Sequence, residues 1–96
     1  MTDVAVEIIV TGRVQGVGYR AWAQANATSQ GLRGLVRNRK DGSVQALLAG
    51  PKERIEAFAA ACRAGPTLAR VENVTVKEID PSDVPEGAGV VIGETA

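Results

Sequence analysis

The sequence contains no histidine, which removes the commonest general base and nearly all zinc sites. Its single cysteine, Cys62, permits no internal disulfide and fits a reducing compartment. The chain does not open with a basic segment and a long apolar stretch, and no apolar run approaches membrane-spanning length. We therefore expect a cytoplasmic protein that does not enter a membrane.

The sequence also has no net charge and only three aromatic residues. Eleven basic and eleven acidic residues cancel, so no overall field attracts nucleic acid or an anionic membrane. The only aromatic residues are Tyr19, Trp22 and Phe58, and the strands carry no aromatic pair of the kind that stacks RNA bases. We expect no nucleic-acid partner, and any anion must be bound by a local site.

The length of 96 residues indicates one domain, with a core over about residues 4–80 and a tail over 81–96. Nothing in the composition demands a partner subunit, so we expect a monomer.

Hydrophobic periodicity divides the chain into short strands and two helices. The fourth strand changes phase between Val76 and Ile79, which favours a bulge there. Lys40, Asp41 and Gly42 are typical of a tight hairpin turn. The predicted strands are residues 4–11, 34–39, 43–49 and 71–79, with a short edge strand over 87–93, and the predicted helices are residues 19–30 and 51–64.

The order β-α-β-β-α-β predicts an α+β, ferredoxin-like sandwich. Right-handed crossovers then place both helices on one face of a four-stranded antiparallel sheet. Many unrelated activities use this fold, so function must be argued from a site.

The segment between the first strand and the first helix, residues 12–20, reads GRVQGVGYR. Gly16 and Gly18 allow successive amides to converge on an anion, and the helix that follows adds free N–H groups. Arg20 lies in the first turn of that helix, where a cation is unfavourable unless an anion binds beside it. The glycine spacing alone is equally compatible with a phosphate site and with an ordinary strand-to-helix turn.

Together with Asn38 and the Asp41-Gly42 turn, GRVQGVGYR resembles the signature of the acylphosphatase family, over about residues 6–80. The resemblance implies metal-free, cofactor-free hydrolysis of small acyl phosphates to a carboxylate and inorganic phosphate. It implies that Arg20 binds the phosphoryl group and that Asn38 orients the attacking water. The amides that it assigns to the same phosphoryl group belong to Gln15, Gly16, Val17, Gly18, Tyr19 and Arg20.

One departure and one alternative remain open at this point. Tyr19 stands where the family often has phenylalanine, a change at an aromatic core position. The alternative function is a non-catalytic module that binds phosphate or carbamoyl phosphate, as acylphosphatase-like domains within larger carbamoyl-transferring proteins are expected to do.

Overall fold

The computed structural model describes residues 3–96, and within them the predicted order of elements is confirmed. A 3₁₀ turn at Pro81–Asp83 follows the fourth strand. No helix in these residues is long and apolar enough to cross a membrane. The elements are β1 (Asp3–Arg13), α1 (Tyr19–Ser29), β2 (Arg33–Asn38), β3 (Val44–Pro51), α2 (Lys52–Cys62), β4 (Arg70–Glu78) and β5 (Val90–Ile92).

The sheet has the strand order β4-β1-β3-β2-β5. β1 pairs antiparallel with β3 and β4, and β2 pairs antiparallel with β3, which confirms the four-stranded antiparallel core. The sheet differs from the predicted four-stranded antiparallel one in that the edge strand, β5, joins it and pairs parallel with β2. β5 lies within the edge strand predicted over 87–93. Its direction was not predictable, since three apolar residues between glycines carry no directional pattern.

Both helices pack on one face of the sheet and share one core with it. Ile8, Val36 and Leu48 on the strands are fully buried, and Phe58 of α2 is 1% exposed. A smaller cluster of Ala5, Ala49 and Val84, with Ile79 against it, forms separately from this core. The main core fixes where α1 begins relative to β2, and therefore where the glycine loop lies.

The bulge predicted between Val76 and Ile79 is wrong. The register of β4 against β1 is regular through Val76 and slips instead between Thr11 and Gly12, where Glu72 is the extra residue on β4. Ile79 breaks the alternation for another reason: it lies beyond the strand and packs against the smaller cluster.

The end of α1 leads the chain directly into β2. Gly31 has a φ of 76°, and the Leu32 amide donates to the Ala27 carbonyl oxygen at 3.1 Å. Leu32 is 1% exposed. This glycine-terminated helix end, with its buried apolar partner, is the one that the sequence predicts.

Gly34 of β2 provides a test of the packing between the two strands of the hairpin. Its φ is 140°, and a Cβ at this position would overlap the carbonyl oxygen of Leu47 on β3. We expect Gly34→Ala to lower the free energy of unfolding by about 2–4 kcal/mol, since both backbone angle and contact become unfavourable. Urea denaturation measures the change.

Gly93→Ala is the matched control. Its φ is not positive, and a Cβ there would lie 3.7 Å from the side chains of Leu35 and Arg37, an ordinary contact distance. The control should change stability by less than about 0.5 kcal/mol. Equal losses in the two variants would contradict the proposed overlap at Gly34.

Candidate active site

Residues 14–18 form a loop that joins β1 to α1. Gly16 and Gly18 have φ values of 73° and 80°, in the left-handed region that favours glycine. A Cβ at either position would meet no atom within 4 Å, so the backbone angle rather than lack of space selects glycine there. Val14 is 1% exposed and anchors the start of the loop in the core.

The backbone amides of this loop and of the first turn of α1 have few acceptors. Across residues 3–96, no backbone hydrogen bond is donated by the N–H groups of residues 15–21, and Trp22 is the first to donate, to the Gly18 carbonyl at 3.1 Å. Gly18 caps α1 without a side-chain hydrogen bond, and the first turn contains no acid. A helix start of this kind carries free donors and partial positive charge, which together favour an anion.

Arg20 adds a full positive charge to this helix start. Its side chain is half-buried. Among residues 3–96 the only salt bridge joins Arg39 and Asp41 at 3.9 Å. Arg20 therefore has no acidic partner among these residues. A guanidinium can bind two phosphate oxygens through paired N–H donors, so an anion would relieve the repulsion between Arg20 and the helix.

Asn38 is the last residue of β2 and is held on both sides. It pairs with Val44 of β3, and its carbonyl oxygen accepts a hydrogen bond of 3.0 Å from the Ala96 amide. Its side-chain Oδ1 is buried and accepts no hydrogen bond from any described residue. A buried oxygen without a donor is unfavourable by about 1–3 kcal/mol, so this position suits a bound donor such as water.

A cavity of about 260 Å³ brings these groups together. Arg20 and Asn38 both line it, as do three members of the predicted loop, Gly16, Gly18 and Tyr19. Gln15 and Val17, the other two, do not line it with their own atoms. No acidic residue is among the described lining residues, which leaves Arg20 as the charge that dominates the cavity. The full lining is Val14, Gly16, Gly18, Tyr19, Arg20, Ala21, Asn38 and Ile92.

The Gln15 side chain has a structural contact that the sequence did not indicate. Its Nε2 donates to the carbonyl oxygens of Arg39 and Ser43, at 2.8 and 2.9 Å. These two residues flank the turn between β2 and β3. The amide therefore joins the glycine loop to the hairpin that carries Asn38, and it fixes the two halves of the cavity relative to each other.

Tyr19 anchors the first turn of α1 to the end of α2. Its hydroxyl donates to the Cys62 carbonyl oxygen at 2.7 Å, at the end of α2, and a Cβ on Gly65 would lie 2.6 Å from its ring. Burial raises the pKa of Tyr19 well above its ordinary value. Burial likewise raises the pKa of the Cys62 thiol to about 11. Both groups are therefore neutral near pH 7, and the tyrosine hydroxyl satisfies a carbonyl at a helix end.

Three lining residues, Val14, Ala21 and Ile92, were not identified from the sequence. Val14 and Ala21 are chain neighbours of the loop and of Arg20, so their position follows once the loop is placed. Ile92 reaches the cavity only through the parallel pairing of β5 with β2. Residues 3–96 contain no group of three or more His, Cys, Asp or Glu side chains that could hold a metal ion.

Comparisons with known proteins identify relatives along most of the chain. The family model described as Acylphosphatase matches residues 6–87. An acylphosphatase of Bradyrhizobium diazoefficiens is 51% identical over 75 residues, which cover 78% of this chain and 76% of the relative. The crystal structure of acylphosphatase from Bacillus subtilis is 36% identical, with a TM-score of 0.83 and coverage of 94% of this chain and 98% of that one.

A larger protein contains the same fold as a small part. Full-length HypF, in a phosphate- and nucleotide-bound crystal form, matches with a TM-score of 0.86 and 27% identity. The match covers 98% of this chain but 12% of that protein.

The bridge made by Gln15 can be tested through stability. Gln15→Leu keeps the approximate size of the side chain but removes both of its hydrogen bonds, one from each of two carbonyl oxygens that keep a backbone N–H donor. We expect the free energy of unfolding to fall by about 1–3 kcal/mol. Urea denaturation measures the loss.

Gln24→Leu is the matched control, because Gln24 donates a single hydrogen bond of 2.9 Å to the Val90 carbonyl oxygen. It should lose less stability than Gln15→Leu. A loss at Gln24 equal to or greater than that at Gln15 would argue against the double bridge.

Proposed function

Because the chain belongs to the acylphosphatase family and is an acylphosphatase, we propose that its acyl phosphate substrate is hydrolysed in the cavity between Arg20 and Asn38. The observation that carries this proposal is the buried Oδ1 of Asn38, which has no donor among the described residues and belongs to a residue that lines the same cavity as the unpaired Arg20. One group requires an anion and the other requires a hydrogen-bond donor. An acyl phosphate with an attacking water supplies both.

The phosphoryl group is proposed to bind at the helix start. Its oxygens would accept hydrogen bonds from the amides of residues 15–20 and from the Arg20 guanidinium. The family resemblance assigns the Gln15 and Val17 amides to this set, although neither residue is among those lining the cavity. These donors are fixed before the substrate arrives, so their stabilisation of charge in the transition state needs little reorganisation.

Asn38 is proposed to position the nucleophile. Its Oδ1 accepts a hydrogen bond from a water molecule, which fixes one lone pair of the water oxygen towards phosphorus. The water oxygen forms the new bond to phosphorus as the bond from phosphorus to the carboxyl oxygen breaks. The electron pair leaves with the carboxylate, and the proton from water passes to an oxygen of the phosphate.

The leaving group explains why so few side chains are needed. A carboxylate is a weak base, so it departs without a proton from an acid, and the absence of histidine from the sequence is no obstacle. Arg20 and the amides are proposed to neutralise the phosphoryl charge without a metal ion. Activity in the presence of a chelator such as EDTA tests this part of the proposal.

The proposal also covers the oligomeric state, the partner and the cellular location of the protein. We propose that the protein acts as a monomer of one domain and that its partner is a small acyl phosphate, not a nucleic acid or a membrane. The free thiol of Cys62 fits a reducing compartment, for which we propose the cytoplasm.

Replacement of Arg20 tests the anion site. In an assay of benzoyl phosphate hydrolysis with EDTA present, Arg20→Ala should raise KM and lower kcat, with kcat/KM reduced about 100- to 1000-fold. A donor preorganised for transition-state charge has an effect of this size. Arg13→Ala is the control, since Arg13 is exposed at the end of β1 and does not line the cavity. An Arg20→Ala enzyme as active as the control would end the proposal.

Replacement of Asn38 tests the water site. Asn38→Ala should lower kcat about 100-fold with KM changed less than about threefold, because the lost contact is to the nucleophile and not to the phosphoryl group. Asn73→Ala, at an exposed position on β4, is the control and should retain normal kcat. Binding of phosphate by the wild-type protein without any turnover of benzoyl phosphate would instead favour the non-catalytic module.

A further inference from the structure

The cavity has a polar part and an apolar part. The polar part consists of the amides of the loop, Arg20 and Asn38. The apolar part includes Ala21 on the first turn of α1 and Ile92 at the end of β5, and the buried Val14 also belongs to the lining. The proposed phosphoryl site uses only the polar groups, so the apolar part has no assigned role.

Ile92 is exposed because of the direction in which β5 runs. Val90 is 5% exposed, and the hydrogen bonds around it, to Thr28 and from Gln24, lie towards the middle and end of α1. β5 then continues towards the start of the helix, where Arg20 is located. Ile92 shares the face of Val90 but is 42% exposed, since it lies at the open cavity.

A single exposed isoleucine is common on protein surfaces and needs no explanation by itself. What distinguishes Ile92 is that it lines the same cavity as Arg20 and Asn38. Val91, the adjacent residue on the same strand, is even more exposed, at 54%, yet does not line the cavity. β5 therefore presents one apolar residue to the site and one to solvent.

We propose that Ile92, together with Ala21, contacts the acyl group of the substrate, so that the enzyme favours acyl phosphates with a bulky apolar acyl group over acetyl phosphate. This inference rests on the proposed function of the same cavity. An apolar acyl group bound at Ile92 removes apolar surface from water on both sides, whereas an acetyl group offers a single methyl. The volume of about 260 Å³ lies just below the range of roughly 300–1,000 Å³ typical for drug-sized ligands, so it admits an acyl group larger than acetyl beside the phosphoryl group.

The lining also argues against a charged acyl group. Arg20 is the only charged side chain among the described lining residues, and the proposed function occupies it with the phosphoryl oxygens. A carboxylate on the acyl group would lie against Ile92 and Ala21 without a partner, which is unfavourable.

The test compares benzoyl phosphate with acetyl phosphate in wild-type protein and in Ile92→Ala. The ratio of the two kcat/KM values, benzoyl over acetyl, should exceed one in the wild type. It should fall about three- to tenfold in the variant, because a few methyl or methylene contacts in a half-open site discriminate to this extent. The change should appear chiefly in KM for benzoyl phosphate, since the acyl contact is similar in the ground and transition states.

Two further variants make the outcome specific. Val91→Ala removes an exposed apolar side chain from the same strand but not from the cavity, and should leave the ratio unchanged. Ile92→Val keeps most of the apolar surface and should restore most of the wild-type ratio. If Ile92→Ala does not fold, Ile92→Ser and Ile92→Val are compared instead. The ratio of benzoyl to acetyl kcat/KM should then be lower in Ile92→Ser than in Ile92→Val.

The failure of this inference is distinguishable from failure of the proposed function. An unchanged ratio in Ile92→Ala, or an equal fall in both kcat/KM values, would overturn the acyl contact while hydrolysis itself persists. No hydrolysis of either substrate by the wild type would overturn both.

Discussion

A helix that begins without a capping side chain and without an acid in its first turn leaves its first amides without acceptors. In this protein that helix is α1, and the chain adds Arg20 to the same end. The resulting concentration of donors and positive charge is unfavourable in isolation and becomes favourable when an anion binds. The glycine loop, the position of Asn38 and the open cavity all serve this one electrostatic arrangement.

An arrangement of free donors is useful only when it is rigid, because a flexible loop would lose entropy on binding the anion. Three contacts hold the loop and the helix start in place. Val14 is inserted into the core, Gln15 is bound to the β2–β3 hairpin, and the Tyr19 hydroxyl is bound to the end of α2. Each anchor uses a side chain, which leaves the main-chain amides available to the ligand.

The sequence predicted the parts of this site that depend on local chemistry. Gly16, Gly18 and Arg20 were identifiable because positive φ angles and a cation at a helix start are visible as residue types in order. The contacts of Gln15 and Ile92 were not, since one depends on the distance to a hairpin 24 residues away and the other on the direction of a three-residue strand. The bulge was predicted at the wrong position for the same reason. Ile79 is apolar because it packs against the smaller cluster, and this tertiary contact cannot be deduced from the periodicity of the sequence.

The position of β5 near the end of the described residues also affects when the cavity is completed during synthesis of the chain. Asn38 receives a hydrogen bond from Ala96, and the cavity receives one wall from Ile92, so residues 90–96 complete a site whose other parts lie before residue 44. Because a ribosome makes those residues last among the described ones, the nascent domain passes through a stage in which the glycine loop can fold while the opposite wall does not yet exist. The cavity is in this sense complete only after residues 90–96 have been made, and before that stage it lacks the wall that Ile92 provides.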